Sequence, residues 1–218
     1  MKKLLLFGLF FLFTAFVLVR SSDGGPLIPV FNITQEPDVI IQGSHGAALT
    51  VDLSFGDTEV KAWLEELKTP YPLIFADPAW LERSPDLVEL IIDRNIPVAL
   101  LGAEGKRYED EPKLLDEQIA VFEDHFGRKP LYFRTTDEEF PKTLQKQLFE
   151  AEVNALGSTM RWDGGKLPKK REGLILSVQH HQEERMDLKK VTELLSANEF
   201  LAIEDVLFGL ETKERKFP

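Results

Sequence analysis

Cysteine is absent from the chain, which excludes disulfide cross-links and thiolate zinc sites. Histidine is nearly as scarce: the 4 residues are His45, His125, His180 and His181, so no imidazole lies between positions 45 and 125. Positive charge is also in deficit. The chain has 26 Lys and Arg against 37 Asp and Glu, a net −11; the first twenty residues hold three cations and no acid, so residues 21–218 carry −14. A protein that grips nucleic acid needs a basic stripe, and this balance does not supply one. Internal repeats and low-complexity tracts are lacking too. A length of 218 residues suits one ordinary domain plus a targeting segment.

Long apolar runs are confined to one place. Met1-Lys2-Lys3 precedes an uncharged stretch from Leu4 to Val19, interrupted by Gly8 and Thr14. Cations followed by such a run make an export segment, so residues 1–20 are read as a signal peptide or an N-terminal membrane anchor. The run is short against the roughly 20 residues of a spanning helix. Val19 and Ser21 nevertheless make a poor cleavage site, and an anchor with Lys2 and Lys3 in the cytoplasm obeys the positive-inside rule. Either way the rest of the chain is expected to be extracytoplasmic, membrane-anchored or secreted, with the N-terminal segment as its contact with the membrane. Residues 21–44 form a linker and lead-in, Ser/Gly/Pro-rich at first and carrying Val39-Ile40-Ile41 as an extra strand. Residues 45–218 form the folded domain.

From residue 47, apolar runs of strand length alternate with helix-period segments. The runs are 47–53, 72–76, 97–101, 131–133, 153–156, 174–178 and 200–203. Between the first two, Val60, Trp63, Leu64 and Leu67 recur at helical spacing behind Asp57 as an N-cap. Ser84-Pro85, Pro112, Pro141 and Asp187 open further helices, and Gly127 closes one. Near-continuous apolar strands alternating with helices specify an α/β fold with a parallel sheet covered on its outside. Seven such strands fit an irregular (β/α) barrel.

The first strand carries the most specific signal. It ends on a carboxylate, Asp52, just before a turn through Gly56 into a helix, the placement by which α/β barrels present catalytic groups. The octet from Thr50 to Asp57, Thr-Val-Asp-Leu-Ser-Phe-Gly-Asp, resembles the first motif of the NodB-homology polysaccharide deacetylases, most closely the form T-F-D-I-S-W-G-D of the sporulation-type branch. Further landmarks follow in order over residues 45–207. Asp77-Pro78-Ala79-Trp80 with Ser84-Pro85-Asp86-Leu87-Val88 is similar to G-x-W-A … x-P-E-L-V. Phe126 to Arg134 is similar to x-G-x-x-P-x-x-F-R, and Gly173 to His180 is similar to the closing G-x-I-I-L-L-H. The resemblance implies an irregular seven-stranded barrel of the polysaccharide deacetylase type. It also implies a chemistry, in which a divalent ion held by an Asp and two His polarises an N-acetyl carbonyl and activates water. A first-motif Asp is then the base, and a late His protonates the leaving amine.

Carried over residue by residue, that chemistry is degenerate here. Asp52 falls on the base position, but Leu53 replaces the metal-binding Asp of the ordinary family. Ile96 to Gly102 stands where the family has G-H-E-I-G-S-H, and both imidazoles are missing. Arg134 is retained, while the R-P-P-Y that it opens becomes Arg134-Thr135-Thr136-Asp137. Gln179 aligns with the catalytic His, and His180 lies one place beyond, a step that turns a strand side chain to the opposite face. No metal ligand set and no cofactor are expected.

Each candidate residue keeps two readings. Asp52 is a surviving base, or a strand-end carboxylate that caps a helix or pairs with Arg134. Arg134 is an oxyanion binder or the structural partner of Asp52. His180 is a displaced catalytic His or, with His181, the start of a polar loop through Gln182-Glu183-Glu184. Trp162 and Asp163 sit where the family has a groove Trp and Asp, so Trp162 is a substrate-binding sugar platform or a packing residue. Tyr108-Glu109-Asp110-Glu111 offers oxygen ligands to calcium or magnesium or is a solvated loop. Three functions stay open. The expectation is a catalytically inactive deacetylase-like protein that binds cell-wall glycan or scaffolds a cell-envelope protein. The alternatives are an active, divergent peptidoglycan or chitooligosaccharide N-deacetylase and a purely structural interaction domain.

Overall fold

The computed structural model describes residues 33–181 and 185–209; the export segment 1–20, the linker that follows it and Gln182-Glu183-Glu184 lie outside the described residues. The apolar runs become strands in the following spatial order: β1 (Val39–Ile40), β6 (Asn154–Leu156), β5 (Tyr132–Thr135), β4 (Val98–Gly102), β3 (Leu73–Ala76), β2 (Ala47–Leu53), β8 (Leu174–His180) and β7 (Met160–Arg161). All neighbouring pairs are parallel. Parallel neighbours require crossovers, and most of these are helical: α1 (Thr58–Glu66), α2 (Pro78–Arg83), α3 (Pro85–Asp93), α4 (Arg107–Asp110), α5 (Leu114–Phe126) and α6 (Lys142–Glu150). Two more, α7 (Leu188–Ala197) and α8 (Ile203–Phe208), follow the last strand.

Side chains alternate across each strand, and here both faces are buried, which separates two cores. Leu49, Val51 and Leu53 of β2, Leu174, Leu176 and Val178 of β8, and Ile74 and Leu100 belong to the larger one, shared with the helices. Ala48, Phe75, Ala99, Leu101, Leu156 and Ile175 belong to the smaller one on the other face. Ile203 and Val206 of α8 complete this second core. The backbone ties the α8 segment to the start of β2: Leu201 N–H donates to the Ala47 carbonyl, and Ser44 N–H to that of Val206, both at 2.8 Å. The helix therefore plugs the N-terminal end of the sheet.

The sheet is curled into an incomplete barrel. Arg134 on β5 reaches Asp52 on β2, although β4 and β3 lie between them in the sheet. A side chain can span that distance only across a concave interior. The two edges approach each other as well. After β6, Gly157 N–H donates to Ile40 on β1 and Thr159 N–H to Ile175 on β8, both at 2.8 Å. Gly173, at φ +69°, touches the Gly43 backbone so closely that a Cβ would collide with its carbonyl, which lets the lead-in run against the start of β8.

The expected strand at 200–203 is not one. Its residues make a single bond to Ala47, and Ile203 then opens α8 with Glu204 and Asp205 in the first turn. A four-residue apolar run has no period that separates a strand from a helix start. The barrel's extra strands are instead the two-residue β1, expected from Val39-Ile40-Ile41, and β7. Asp57 precedes α1 but makes no side-chain cap; its Oδ1 accepts from the Ser84 hydroxyl at 3.3 Å. Asp187 does cap α7, accepting from Lys189 N–H, and Gly127 closes α5 at φ +65°.

Candidate functional site

Even-numbered residues of β2 face the barrel interior, which puts Thr50 and Asp52 inside with Arg134 from β5. All three have 0% exposure. The guanidinium lies over the Phe75 ring, 4.2 Å from its centroid. Its Nη1 donates to Thr50 Oγ1 at 2.7 Å and to Asp52 Oδ1 at 2.9 Å. Its Nε and Nη2 donate to the carbonyls of Leu156 and Gly157, both at 3.0 Å. Four of the five guanidinium N–H donors are thus engaged, and Arg134 clamps β2 to the end of β6. Burial drives the Asp52 carboxyl above its ordinary value, Arg134 opposes this, and the charge on Glu138 reinforces it. Asp52 Oδ2 has no hydrogen-bond partner.

Glu138, a residue not singled out in the sequence, seals the same end. It adopts φ +59° in the turn after β5 and accepts from the Ser158 backbone N–H at 2.7 Å. The hydroxyls of Ser158 and Ser177 donate to it as well, at 2.8 and 3.2 Å, and so does Arg161 Nε at 3.2 Å. Burial alone would raise its carboxyl, but Arg134, the two Ser158 donors and Arg161 together hold it below its ordinary value. Beside it, Gln179 Nε2 donates to the Thr136 carbonyl at 3.2 Å. The sequence marks the position only by an acid-rich turn, Asp137-Glu138-Glu139, directly after a barrel strand, which does not by itself single out Glu138 among the three.

The remaining candidates do not converge on Asp52. In register, Gln179 lies opposite Asp52 and His180 opposite Leu53, so Gln179 faces inward and His180 faces the helices. His180 Nδ1 meets the Met186 carbonyl at 2.8 Å. Asp77 caps α2 by accepting from Trp80 N–H at 2.9 Å, and burial raises its carboxyl above the ordinary value. Trp162 packs into the outer core at 9% exposure, with its Nε1 donating to the Gly165 carbonyl at 2.7 Å. Asp163 is exposed and accepts from Gly165 N–H. The acidic run at 108–111 includes most of α4, where Glu111 pairs with Arg107 and the Tyr108 hydroxyl is buried, donating to Gln118 at 2.6 Å.

The divalent ion of deacetylase chemistry does not fit these residues. Such an ion needs several converging N or O ligands. Asp52 offers one unpartnered oxygen, its other being bound to Arg134. Leu53 points into the outer core, Gln179 offers at most one neutral amide oxygen in place of an imidazole, and His180 is on the wrong face of β8. Among the described residues, no group of three His, Cys, Asp or Glu is placed to hold a metal.

No protein-family model and no curated sequence matches the chain. Solved structures do. Bacillus anthracis BA3943, described as a CE4 family pseudoenzyme, matches with a TM-score of 0.62 at 16% identity, over 77% of this chain and 67% of that one. A mutant of BA3943 described as having restored enzymatic activity matches with a TM-score of 0.62 at 17% identity, over 77% and 70%. Bacillus subtilis PdaA, a family 4 carbohydrate esterase, matches with a TM-score of 0.61 at 14% identity, over 87% of this chain and 92% of that one. At these identities the likeness establishes the fold: a parallel α/β sheet curled into the incomplete barrel of the CE4 polysaccharide deacetylases.

Proposed function

We propose that this chain is a catalytically silent protein of the polysaccharide deacetylase fold, placed outside the cytoplasmic membrane, that serves as a binding or scaffolding module of the cell envelope. The observation that carries this reading is the bond from Arg134 to Asp52 inside a sealed interior. The carboxylate best placed to act as base has no exposure and holds a structural cation, and an amide, Gln179, faces the interior beside it. A base there has no metal-bound water to activate and no imidazole to return a proton. The neighbour BA3943, described as a CE4 family pseudoenzyme, supports the reading by precedent: this fold persists without its activity.

Scaffolding of a cell-envelope protein is favoured over capture of a cell-wall glycan, because Trp162, the candidate sugar platform, is packed into the outer core. The export segment motivates the extracytoplasmic placement; among the described residues no helix is long and apolar enough to cross a membrane.

The test is metal retention. Full-length protein is equilibrated with zinc, cobalt or nickel, freed of excess and analysed for bound metal. No stoichiometric metal is expected. One ion per chain, lost in Asp52→Asn, would overturn the reading in favour of an active, divergent N-deacetylase.

A further inference from the structure

The six residues from Lys166 to Arg171, Lys-Leu-Pro-Lys-Lys-Arg, hold four cations and no acid, in a chain with a net charge of −11. They belong to the crossover between β7 and β8. Two members fix the loop to the fold: Leu167 packs against the outer core, and Arg171 Nη1 donates to Asn198 Oδ1 at 2.7 Å. Lys166, Lys169 and Lys170 are exposed. Among the described residues, none of these three ammoniums pairs with a carboxylate. Like charges so close together repel one another, and the fold sets no acid against them. An anion from outside the domain would.

The place of the run in the fold says where that anion comes from. All neighbouring strands are parallel, so their starts share one end of the barrel, away from Asp52. The basic run leads into the start of β8 and lies toward that base. The described chain enters at the same end, where Ile33 N–H donates to Asn154 Oδ1 at the start of β6, at 2.8 Å. The lead-in then passes the end of the loop: Gln42 Nε2 donates to the Glu172 carbonyl at 3.2 Å and Gly43 N–H to that of Gly173 at 2.8 Å. Residues 21–32 join Ile33 to the export segment, and a stretch of that length reaches ~40 Å at full extension. An uncleaved anchor therefore tethers the base to a bilayer surface, at the high effective concentration of a short linker.

We infer that this loop rests on the anionic phospholipid headgroups of the membrane that anchors the chain, with Lys166, Lys169 and Lys170 against the lipid phosphates. Each cation at an anionic bilayer surface favours contact about 5-fold. Acidic neighbours confine the contact to the run itself: Asp163 precedes it, Glu172 follows it and Glu199 adjoins Asn198. Charges more than ~8 Å away are largely screened at physiological salt, so the remaining acids of the domain oppose the contact weakly. A soluble phosphate polymer offers the loop the same chemistry, but the tether favours the lipid. The face around Glu138 and Arg161, at the other ends of the strands, is then left to a partner in the envelope. The inference rests on the membrane-anchored form of the extracytoplasmic reading, and its test separates the two.

Cysteine is absent from the chain, so Lys166→Cys gives the full-length protein a single site for a fluorophore. The labelled chain is reconstituted into nanodiscs of phosphatidylcholine, alone or mixed with phosphatidylglycerol, that carry a headgroup quencher. Quenching at position 166 is expected on the anionic discs and not on the neutral ones. A fluorophore at Glu109→Cys, on α4 after β4, should be quenched on neither. Lys169→Gln combined with Lys170→Gln, both exposed, should lower the ratio of contacting to free loop roughly 25-fold, about 5-fold for each lysine. Sodium phosphate should release the loop no better than sodium chloride of equal ionic strength. A chain that stays on neither disc refutes the anchored reading and takes the inference with it. Four results on a retained chain overturn the inference alone: no quenching at 166 on anionic discs, equal quenching on neutral ones, no effect of the double substitution, or selective release by phosphate.

Discussion

Arg134 shows how a residue that suits catalysis can work for the fold instead. Its donors reach β2 and the end of β6 together, and its own charge is met by Asp52. Breaking such a buried pair from one side leaves the other charge uncompensated, at about 3–5 kcal/mol. Arg134→Met is therefore expected to lower unfolding free energy by about that amount. Asp52→Leu combined with Arg134→Met should recover most of it, since apolar replacement of a whole buried pair is often neutral or stabilising. Urea unfolding of the wild type, both single variants and the double variant measures the coupling. Glu138 and Asp52 impose opposite pH dependences. Glu138 titrates below its ordinary 4.5 when folded, so its stabilisation is complete above that value and drains away as pH falls through the lower one. Asp52 titrates above its ordinary 3.8, so its contribution is complete below 3.8 and lost as pH rises through the folded value. Glu138→Gln should thus flatten the fall of the urea midpoint as pH is lowered below 4.5. A variant as steep as the wild type would remove Glu138 from the network.

Elements carry the next level of the design. α8 is short, yet two of its side chains enter the inner core. Ile203→Ala is expected to cost about 2–5 kcal/mol, while Phe208→Ser, at a position 53% exposed, should stay within about 0.5 kcal/mol. Equal losses for the two would contradict the plug at the base of the barrel. The strands from β2 to β6 and β8 were legible in the sequence because burial on both faces leaves an apolar run that no surface helix needs. The start of α8 was not, since Phe200-Leu201-Ala202-Ile203 has no period to read. Asp52 and Arg134 were legible as a pair because both lie at strand ends on inward positions. Glu138 was hidden, for its role depends on Ser158 and Ser177, far along the chain, and on a left-handed backbone. Trp162 illustrates the converse: an aromatic residue at a groove-like position reads as a ligand platform until its indole N–H is found bonded to Gly165.

At the scale of the molecule, a barrel with a filled interior is joined to a sequence that begins like an export segment. Fractionation of cells producing the full-length chain should place it in the membrane or outside it; recovery of the intact chain from the cytosol would contradict that placement. The central claim is that the interior performs no deacetylation. Each positioned acid or base contributes about 10²–10⁴-fold to a rate, so losing the metal holder and the late imidazole together removes several orders of magnitude. The most direct measurement is acetate release from acetylated glucosamine oligomers and from peptidoglycan, by the full-length chain with added zinc, cobalt or nickel and with Asp52→Asn beside it. The expected result is no acetate above the metal-only control from either protein. Acetate released by the wild type and abolished in Asp52→Asn would contradict the claim and make Asp52 a working base.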